Sequence, residues 1–112
     1  MIILWYYDTL TQSTQRQKSS LHIDEEIDRV YFTQGQNIEV HDATHHTNVE
    51  SKGSLSVVIW NPWKVKSIAM TDMSDDGYKS MLCVETSNTL EDTQRVEVGQ
   101  THSLEVHYTQ KT

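Results

Sequence analysis

The chain has 112 residues, which suits one domain, and nine Lys and Arg against sixteen Asp and Glu give it a formal net charge of −7. This acidic balance argues against nucleic acid and against an anionic membrane as partners, because both require a basic surface. It still allows a small phosphorylated ligand held in a local cationic pocket.

Cys83 is the single cysteine, so no intrachain disulfide can form. The apolar N-terminal segment, residues 1–7, lacks the basic residues that begin a signal peptide and is too short to span a bilayer. We therefore expect a cytoplasmic protein.

Short β-branched or alternating runs, separated by polar clusters, dominate the sequence and predict an all-β, antiparallel β-sandwich. The predicted strands, in chain order, cover residues 1–7, 20–23, 29–32, 37–41, 55–60, 78–86, 95–98 and 102–108. The polar stretch 11–20 is predicted as a loop or ragged hairpin, and the stretch 42–53 as a long turn.

One short helix is predicted over residues 63–70, directly after Pro62. Proline cannot donate to a strand ladder, so it ends the preceding strand. Helical periodicity then places Val65 and Ile68 on the inward face and Ser67 on the outward face.

Glu85 lies inside the apolar run 81–86, which is an unusual place for a carboxylate. Partial burial there would raise its pKa towards neutrality, as a general acid or base requires. The alternative is a glutamate at a strand end that reaches solvent. The residues alone favour this alternative, because structural carboxylates outnumber catalytic ones.

The segment Trp60-Asn61-Pro62-Trp63 resembles a sugar platform, since aromatic rings stack on the apolar face of a pyranose and an amide can bridge hydroxyls. The alternative is that both tryptophans are core residues, and the residues alone favour the core.

Three histidines, His41, His45 and His46, have spacings that a metal site could use. They fall in a polar segment and have no obvious fourth ligand, so we expect a solvated loop and no metal. Asp28 and Arg29, in a charged turn that leads into a strand, are likewise expected to be solvated.

Three segments taken together resemble the glucose-6-phosphate 1-epimerase family, the hexose-phosphate branch of the aldose 1-epimerases. Residues 26–31 are similar to its E-x-D-x-x-Y segment, residues 57–72 to its VVWNPW…KS…MAD stretch, and residues 76–85 to its DxGYxxMxCVE stretch. The order and spacing match from about Leu4 to the end of the chain. The resemblance therefore covers residues 1–112 as one domain similar to the C-terminal part of such an enzyme.

This resemblance implies a partial galactose-mutarotase-like supersandwich, with the short helix after the WNPW segment. It implies anomer interconversion of a hexose 6-phosphate without metal or organic cofactor, with a sugar or sugar phosphate as ligand. Glu85 matches the family's glutamate base, and Asp28 matches an aspartate that binds sugar hydroxyls. Trp60, Asn61 and Trp63 are further candidates for substrate contact.

The chain also departs from the family pattern. Family members are more than twice as long, and none of the six histidines matches the family's acid. The arginines that hold the phosphate have no match either. We therefore expect impaired or no activity, because losing one partner of an acid–base pair costs on the order of 10²–10⁴-fold in rate.

Three hypotheses remain open from the sequence. The first is a carbohydrate-binding epimerase relative with little turnover, and the second an epimerase whose site another chain completes. The third is a structural or interaction module that kept the fold. All three favour a homodimer or higher oligomer, since half of a large sandwich exposes strand edges and apolar surface. The apolar opening, residues 2–7, is the candidate contact.

Overall fold

The computed structural model describes residues 4–111. The chain forms two compact units: the residues up to Tyr31 with Val58–Glu85, and Phe32–Val57 with the residues from Thr86 onward. The expectation of a single domain over 1–112 stays a prediction.

Eight strands and one α-helix make up the described part of the chain. They are β1 (Leu4–Asp8), β2 (Ser13–Gln17), β3 (Ile27–Phe32), β4 (Ile38–His41), β5 (His46–Lys52), β6 (Ser56–Asn61), α1 (Trp63–Ala69), β7 (Cys83–Ser87) and β8 (Glu105–Lys111). Two 3₁₀ turns, Gly77–Ser80 and Leu90–Asp92, flank β7. The strands form a five-stranded sheet in the order β2-β1-β3-β6-β7 and a three-stranded sheet in the order β4-β5-β8. The predicted all-β class with one short helix is confirmed.

Six of the eight predicted strands overlap an observed strand, and two do not. The polar stretch 11–20 forms a hairpin strand, β2, which pairs antiparallel with β1. Residues 20–23 and 95–98 are not strands, and the predicted strand 78–86 is shortened to β7 because its first part adopts a 3₁₀ turn. The long turn predicted over 42–53 is wrong, because β5 lies there and pairs with both β4 and β8.

Helix α1 has the predicted position but the opposite orientation. Ser67 is fully buried, and its hydroxyl donates to the carbonyl oxygen of Ser74 at 3.1 Å. Val65 and Ile68 are 84% and 52% exposed. The predicted inward face is therefore wrong, because the helix packs through its small polar residue and leaves the apolar side chains in solvent. In the part of the chain that the structure describes, no helix is long and apolar enough to cross a bilayer.

The first unit has an aromatic and aliphatic core. Its buried apolar residues are Tyr6, Ile27, Val30, Tyr31, Ile59 and Tyr78. The rings of Tyr6 and Tyr31 lie 5.0 Å apart, and the Arg29 guanidinium lies 4.3 Å from the Tyr6 ring centroid. Arg29 also donates to the Tyr31 hydroxyl at 3.1 Å. The expectation that Arg29 is solvated is thus wrong, because this cation–π contact and hydrogen bond hold it against the sheet.

The second unit is held by a polar network around Asp92, which is 7% exposed. The Asp92 carboxylate accepts hydrogen bonds from the Leu55 backbone N–H (2.8 Å), the Ser56 hydroxyl (2.9 Å) and the Asn88 amide (3.0 Å). Burial alone would raise the pKa of Asp92, but these hydrogen bonds outweigh it and hold the pKa below its ordinary value. The network joins the 3₁₀ turn Leu90–Asp92 to the start of β6.

The three-stranded sheet of this unit has a polar face of complementary pairs. In the register of β5 and β8, Lys52 lies opposite Glu105 and Glu50 lies opposite His107. The opposite charges of Lys52 and Glu105, which face each other across antiparallel strands, stabilise the pairing of β5 with β8. Gly53 ends β5 with φ at +76°, and a side chain there would collide with the backbone of Ser103.

Candidate functional site

Four of the five predicted site residues lie on three neighbouring strands of the first unit. Asp28 is on β3, Trp60 and Asn61 end β6, and Glu85 is on β7. Because β6 lies between β3 and β7, the strands of Asp28 and Glu85 are two strand spacings apart, roughly 10 Å. That distance is comparable to the size of a hexose ring with its hydroxyls.

Glu85 is exposed to solvent. The partial burial that its apolar neighbours suggested is therefore wrong, because β7 places this side chain on the accessible side. Cys83, two positions earlier on the same strand, has a pKa raised first by burial and second by the negative charge of Glu85. The carboxylate of Glu85 is thus available to a ligand from solvent.

Trp60 is partly exposed and shares a sheet face with Glu85 by strand alternation. The hydroxyls of Ser56 on β6 and Ser87 on β7 are 3.0 Å apart, so these two residues face the same way. Every second residue along a strand shares a face, which places Trp60 with Ser56 and Glu85 with Ser87. An aromatic ring and a carboxylate on one accessible face are suited to binding a sugar.

Asn61 is buried, at 2% exposure, and its amide is occupied by backbone groups. Its Nδ2 donates to the carbonyl oxygens of Tyr78 and Met81, each at 3.0 Å. Its Oδ1 accepts the backbone N–H of Trp63 at 2.8 Å. These bonds join the end of β6 to the start of α1 and to the segment that leads into β7, so the geometry favours a positioning role for Asn61.

Trp63 begins α1 with a backbone φ of +60°, a left-handed conformation that is uncommon for a bulky residue. Its ring lies 4.8 Å from that of Tyr78 at an interplanar angle of 59°, and Trp63 remains partly exposed. Such a conformation persists where surrounding contacts hold it, and here the hydrogen bond to Asn61 and the contact with Tyr78 do so.

A charged pair beside Asp28 was not predicted as part of the site. Lys66 Nζ on α1 lies 2.9 Å from Glu26 Oε2, just before β3. The pKa of Lys66 is raised by its hydrogen bond to Glu26, by the charge of Glu26 and, to a smaller extent, by the charge of Asp28. Lys66 therefore keeps its positive charge in an ion pair with Glu26, two residues before Asp28. The predicted helix over residues 63–70 could not indicate which acidic residue Lys66 meets.

Comparison with known sequences identifies a family match over nearly the whole chain. Residues 6–109 match the family described as Aldose 1-epimerase. A protein of Salmonella typhimurium is 44% identical over 61 residues, covering 53% of this chain and 21% of its own length. Proteins of Cenchrus ciliaris and Haemophilus influenzae are 34% and 32% identical, covering 71% and 72% of this chain. All three bear the name "Putative glucose-6-phosphate 1-epimerase".

Comparison with solved structures supports the same fold. The structure titled "Crystal Structure Analysis of HI1317" has a TM-score of 0.73 and 24% identity, and it covers 96% of this chain. The chain spans 40% of that structure's length and 26% and 30% of the Cenchrus and Haemophilus proteins. The predicted galactose-mutarotase-like fold is confirmed by this likeness.

Proposed function

Because the chain belongs to the aldose 1-epimerase family, we propose that it binds a hexose or hexose 6-phosphate and supplies the base of an anomer-interconverting site. The family match over residues 6–109 carries this proposal. It is supported by the placement of Asp28, Trp60 and Glu85 on three neighbouring strands of one unit. An arrangement on adjacent strands suits residues that share one ligand.

In the proposed reaction, Glu85 takes the proton of the C1 hydroxyl while the C1–ring-oxygen bond breaks. The ring oxygen takes a proton from an acid, which leaves an open-chain aldehyde. Rotation about the C1–C2 bond and reversal of both proton transfers closes the ring as the other anomer. The exposure of Glu85 suits it to meet the C1 hydroxyl directly.

We propose that the acid comes from outside these 112 residues, from another segment or another chain. Without it, the reaction depends on Glu85 and on water, and the expected acceleration is small. Binding depends instead on Asp28, on the rings of Trp60 and Trp63, and on Lys66. We propose that Lys66, paired with Glu26 two residues before Asp28, presents a positive charge to a phosphate or hydroxyl of the ligand.

Titration with glucose 6-phosphate, followed by NMR of the tryptophan indole N–H groups, tests the binding half of this proposal. We expect saturable shifts in the millimolar range, which Asp28→Asn weakens at least tenfold because a charged hydrogen bond is lost. Asp72→Asn, an exposed carboxylate just after α1, is the matched control and should bind like the wild type. Indole signals that do not respond to the sugar would contradict the proposed site.

The alternative function is an interaction module that self-associates, and the exposed strand β8 supports it. Every residue of β8 is exposed, including the apolar Val106 and Tyr108, and β8 is an outer strand of its sheet. Antiparallel pairing of two β8 copies about Tyr108 would place Glu105 of one copy opposite Lys111 of the other. This charge complementarity at both ends favours a symmetric homodimer.

The self-association proposal is tested by sedimentation velocity at micromolar concentration. The wild type is expected to sediment as a dimer, and Tyr108→Pro should yield monomers because proline at the centre of β8 disfavours pairing along this strand. Val98→Ser, which changes an exposed apolar residue outside β8, is the control. A stable wild-type monomer would contradict the proposal.

Of the predicted contact segment, residues 2 and 3 lie outside the described residues, while Tyr6 is buried and Trp5 is 47% exposed.

A further inference from the structure

Two histidines of the second unit face each other across a hairpin, in the stretch of sequence between Asp28 and Trp60. His41 ends β4 and His46 begins β5, and the strand register pairs them directly. Their ring centroids are 4.1 Å apart, and both side chains are exposed. The expectation of a solvated loop at this position is wrong, because both residues belong to paired strands.

The turn between the two histidines is ordered by its own hydrogen bonds. The Asp42 carboxylate accepts the backbone N–H groups of Thr44 (2.8 Å) and His45 (2.7 Å), and the Asp42 N–H donates to the His45 carbonyl at 3.0 Å. This turn sets the register that pairs His41 with His46. The backbone positions of the two histidines are thus set before any ligand arrives.

Glu39 supports one of the two rings. It precedes His41 by two residues on β4, and therefore shares its face, and its Oε2 lies 3.2 Å from His41 Nε2. A carboxylate that accepts from one imidazole nitrogen fixes the tautomer and leaves the other nitrogen, Nδ1, free to act as a ligand. This carboxylate–histidine arrangement commonly supports the histidine ligands of metal ions in proteins.

A cavity of about 290 Å³ lies over the pair. Its lining consists of Glu39, His41, His46, Asn48 and Thr109, with Thr47 and Lys111. Liquid water occupies roughly 30 Å³ per molecule, so the cavity has room for an ion with several bound waters. Among residues 4–111, no three His, Cys, Asp or Glu side chains are grouped closely enough to hold a metal ion. An ion at this position would therefore have two protein ligands, with water in its remaining coordination positions.

We propose that His41 and His46 form a binding site for a late first-row transition-metal ion such as Zn²⁺, with Glu39 orienting His41. Imidazole is a preferred ligand for this class of ion, whereas Ca²⁺ and Mg²⁺ require a shell of oxygen ligands. The ion clamps β4 to β5 and stabilises the hairpin by mass action. Lys111, which the register places opposite His46, opposes binding by charge repulsion.

Calorimetric titration of the full chain with ZnCl₂ tests this site. We expect one site with a dissociation constant in the micromolar range and no competition from Mg²⁺. His41→Ala and His46→Ala should each weaken binding by more than about tenfold, and Glu39→Gln by about tenfold, because the orienting carboxylate is lost. Lys111→Met should tighten binding about fivefold, since a nearby positive charge is removed.

His107→Ala is the matched control, because His107 lies on the same polar face of the sheet but outside the pair. It should bind Zn²⁺ like the wild type. In the wild type, Zn²⁺ should also shift the imidazole NMR signals of His41 and His46 before those of the other histidines. Wild-type protein that does not bind Zn²⁺, or binding that survives in His41→Ala and His46→Ala, would overturn the proposal.

Discussion

The side-chain oxygen of Asn61 accepts the backbone N–H of Trp63 at 2.8 Å, across the proline that separates them. The same amide donates to the carbonyls of Tyr78 and Met81. One buried side chain therefore fixes the start of α1, the unusual backbone of Trp63 and the approach to β7. A residue that resembles a sugar ligand in the sequence has its amide engaged by the backbone of its own unit.

Asn61→Ala should destabilise the chain by about 2–4 kcal/mol, because it leaves a buried N–H and two carbonyls without their partner. The free energy of unfolding in urea, with a midpoint shift at unchanged slope, measures this effect. Lys64→Ala, on the exposed side of α1, is the control and should change the free energy by less than about 0.5 kcal/mol. A loss of sugar binding in Asn61→Ala without any loss of stability would instead indicate direct contact with the ligand.

Substitutions on opposite sides of α1 should have effects opposite to those that its hydrophobic pattern predicts. Ser67→Leu should destabilise by at least about 2 kcal/mol, because the fully buried position has no room for a larger side chain. Val65→Ser, at a position that is 84% exposed, should cost less than about 0.5 kcal/mol. Thermal unfolding of the two variants distinguishes the orientations, and a larger loss in Val65→Ser would contradict the observed packing.

The polar network of the second unit makes stability depend on pH through Asp92. Its folded-state pKa is lower than its ordinary value of 3.8, so its contribution is fully present above that value and is lost as the pH falls through the folded pKa. Asp92→Ala should cost about 3 kcal/mol at neutral pH, because the Leu55 N–H and its other donors lose a charged acceptor.

Urea unfolding of the wild type and Asp92→Ala at pH 7 and pH 3 measures this dependence. The difference between the two proteins should shrink at the lower pH, because pH 3 lies below the ordinary pKa of 3.8 and closer to the lowered pKa of the folded-state carboxylate. Asp75→Ala changes an exposed carboxylate and is the control. A difference that is the same at both pH values would show that Asp92 acts through packing alone.

Much of the fold could be predicted because most strands contain β-branched or aromatic residues, either in short apolar runs or in alternation. Strand β5 could not, since its sequence is almost entirely polar and only Val49 within it is buried. It forms a strand because β4 and β8 pair with it on both sides, and this tertiary pairing outweighs its low intrinsic propensity. The direct pairing of His41 with His46 across these strands could not be predicted for the same reason.

The candidate site, too, could be predicted only in part from the sequence. Motif resemblance could identify Asp28 and Glu85, because it depends on residue types in order. The exposure of Glu85 and the Lys66–Glu26 ion pair depend on which elements meet in space, and strand or helix periodicity does not encode that. Asn61 illustrates the same limit, since its hydrogen-bond partners are 17 and 20 residues away along the chain.

Anomer exchange of glucose 6-phosphate, followed by NMR with and without the protein, tests the central claim most directly. We expect a small acceleration over the spontaneous rate that disappears in Glu85→Gln, while Asp72→Asn retains it and both variants still bind the sugar. Adding imidazole as an external acid should raise the wild-type rate more than the Glu85→Gln rate. If the wild type and Glu85→Gln exchange the anomers at the same rate, with imidazole as well as without it, then Glu85 is not the base and the account is contradicted.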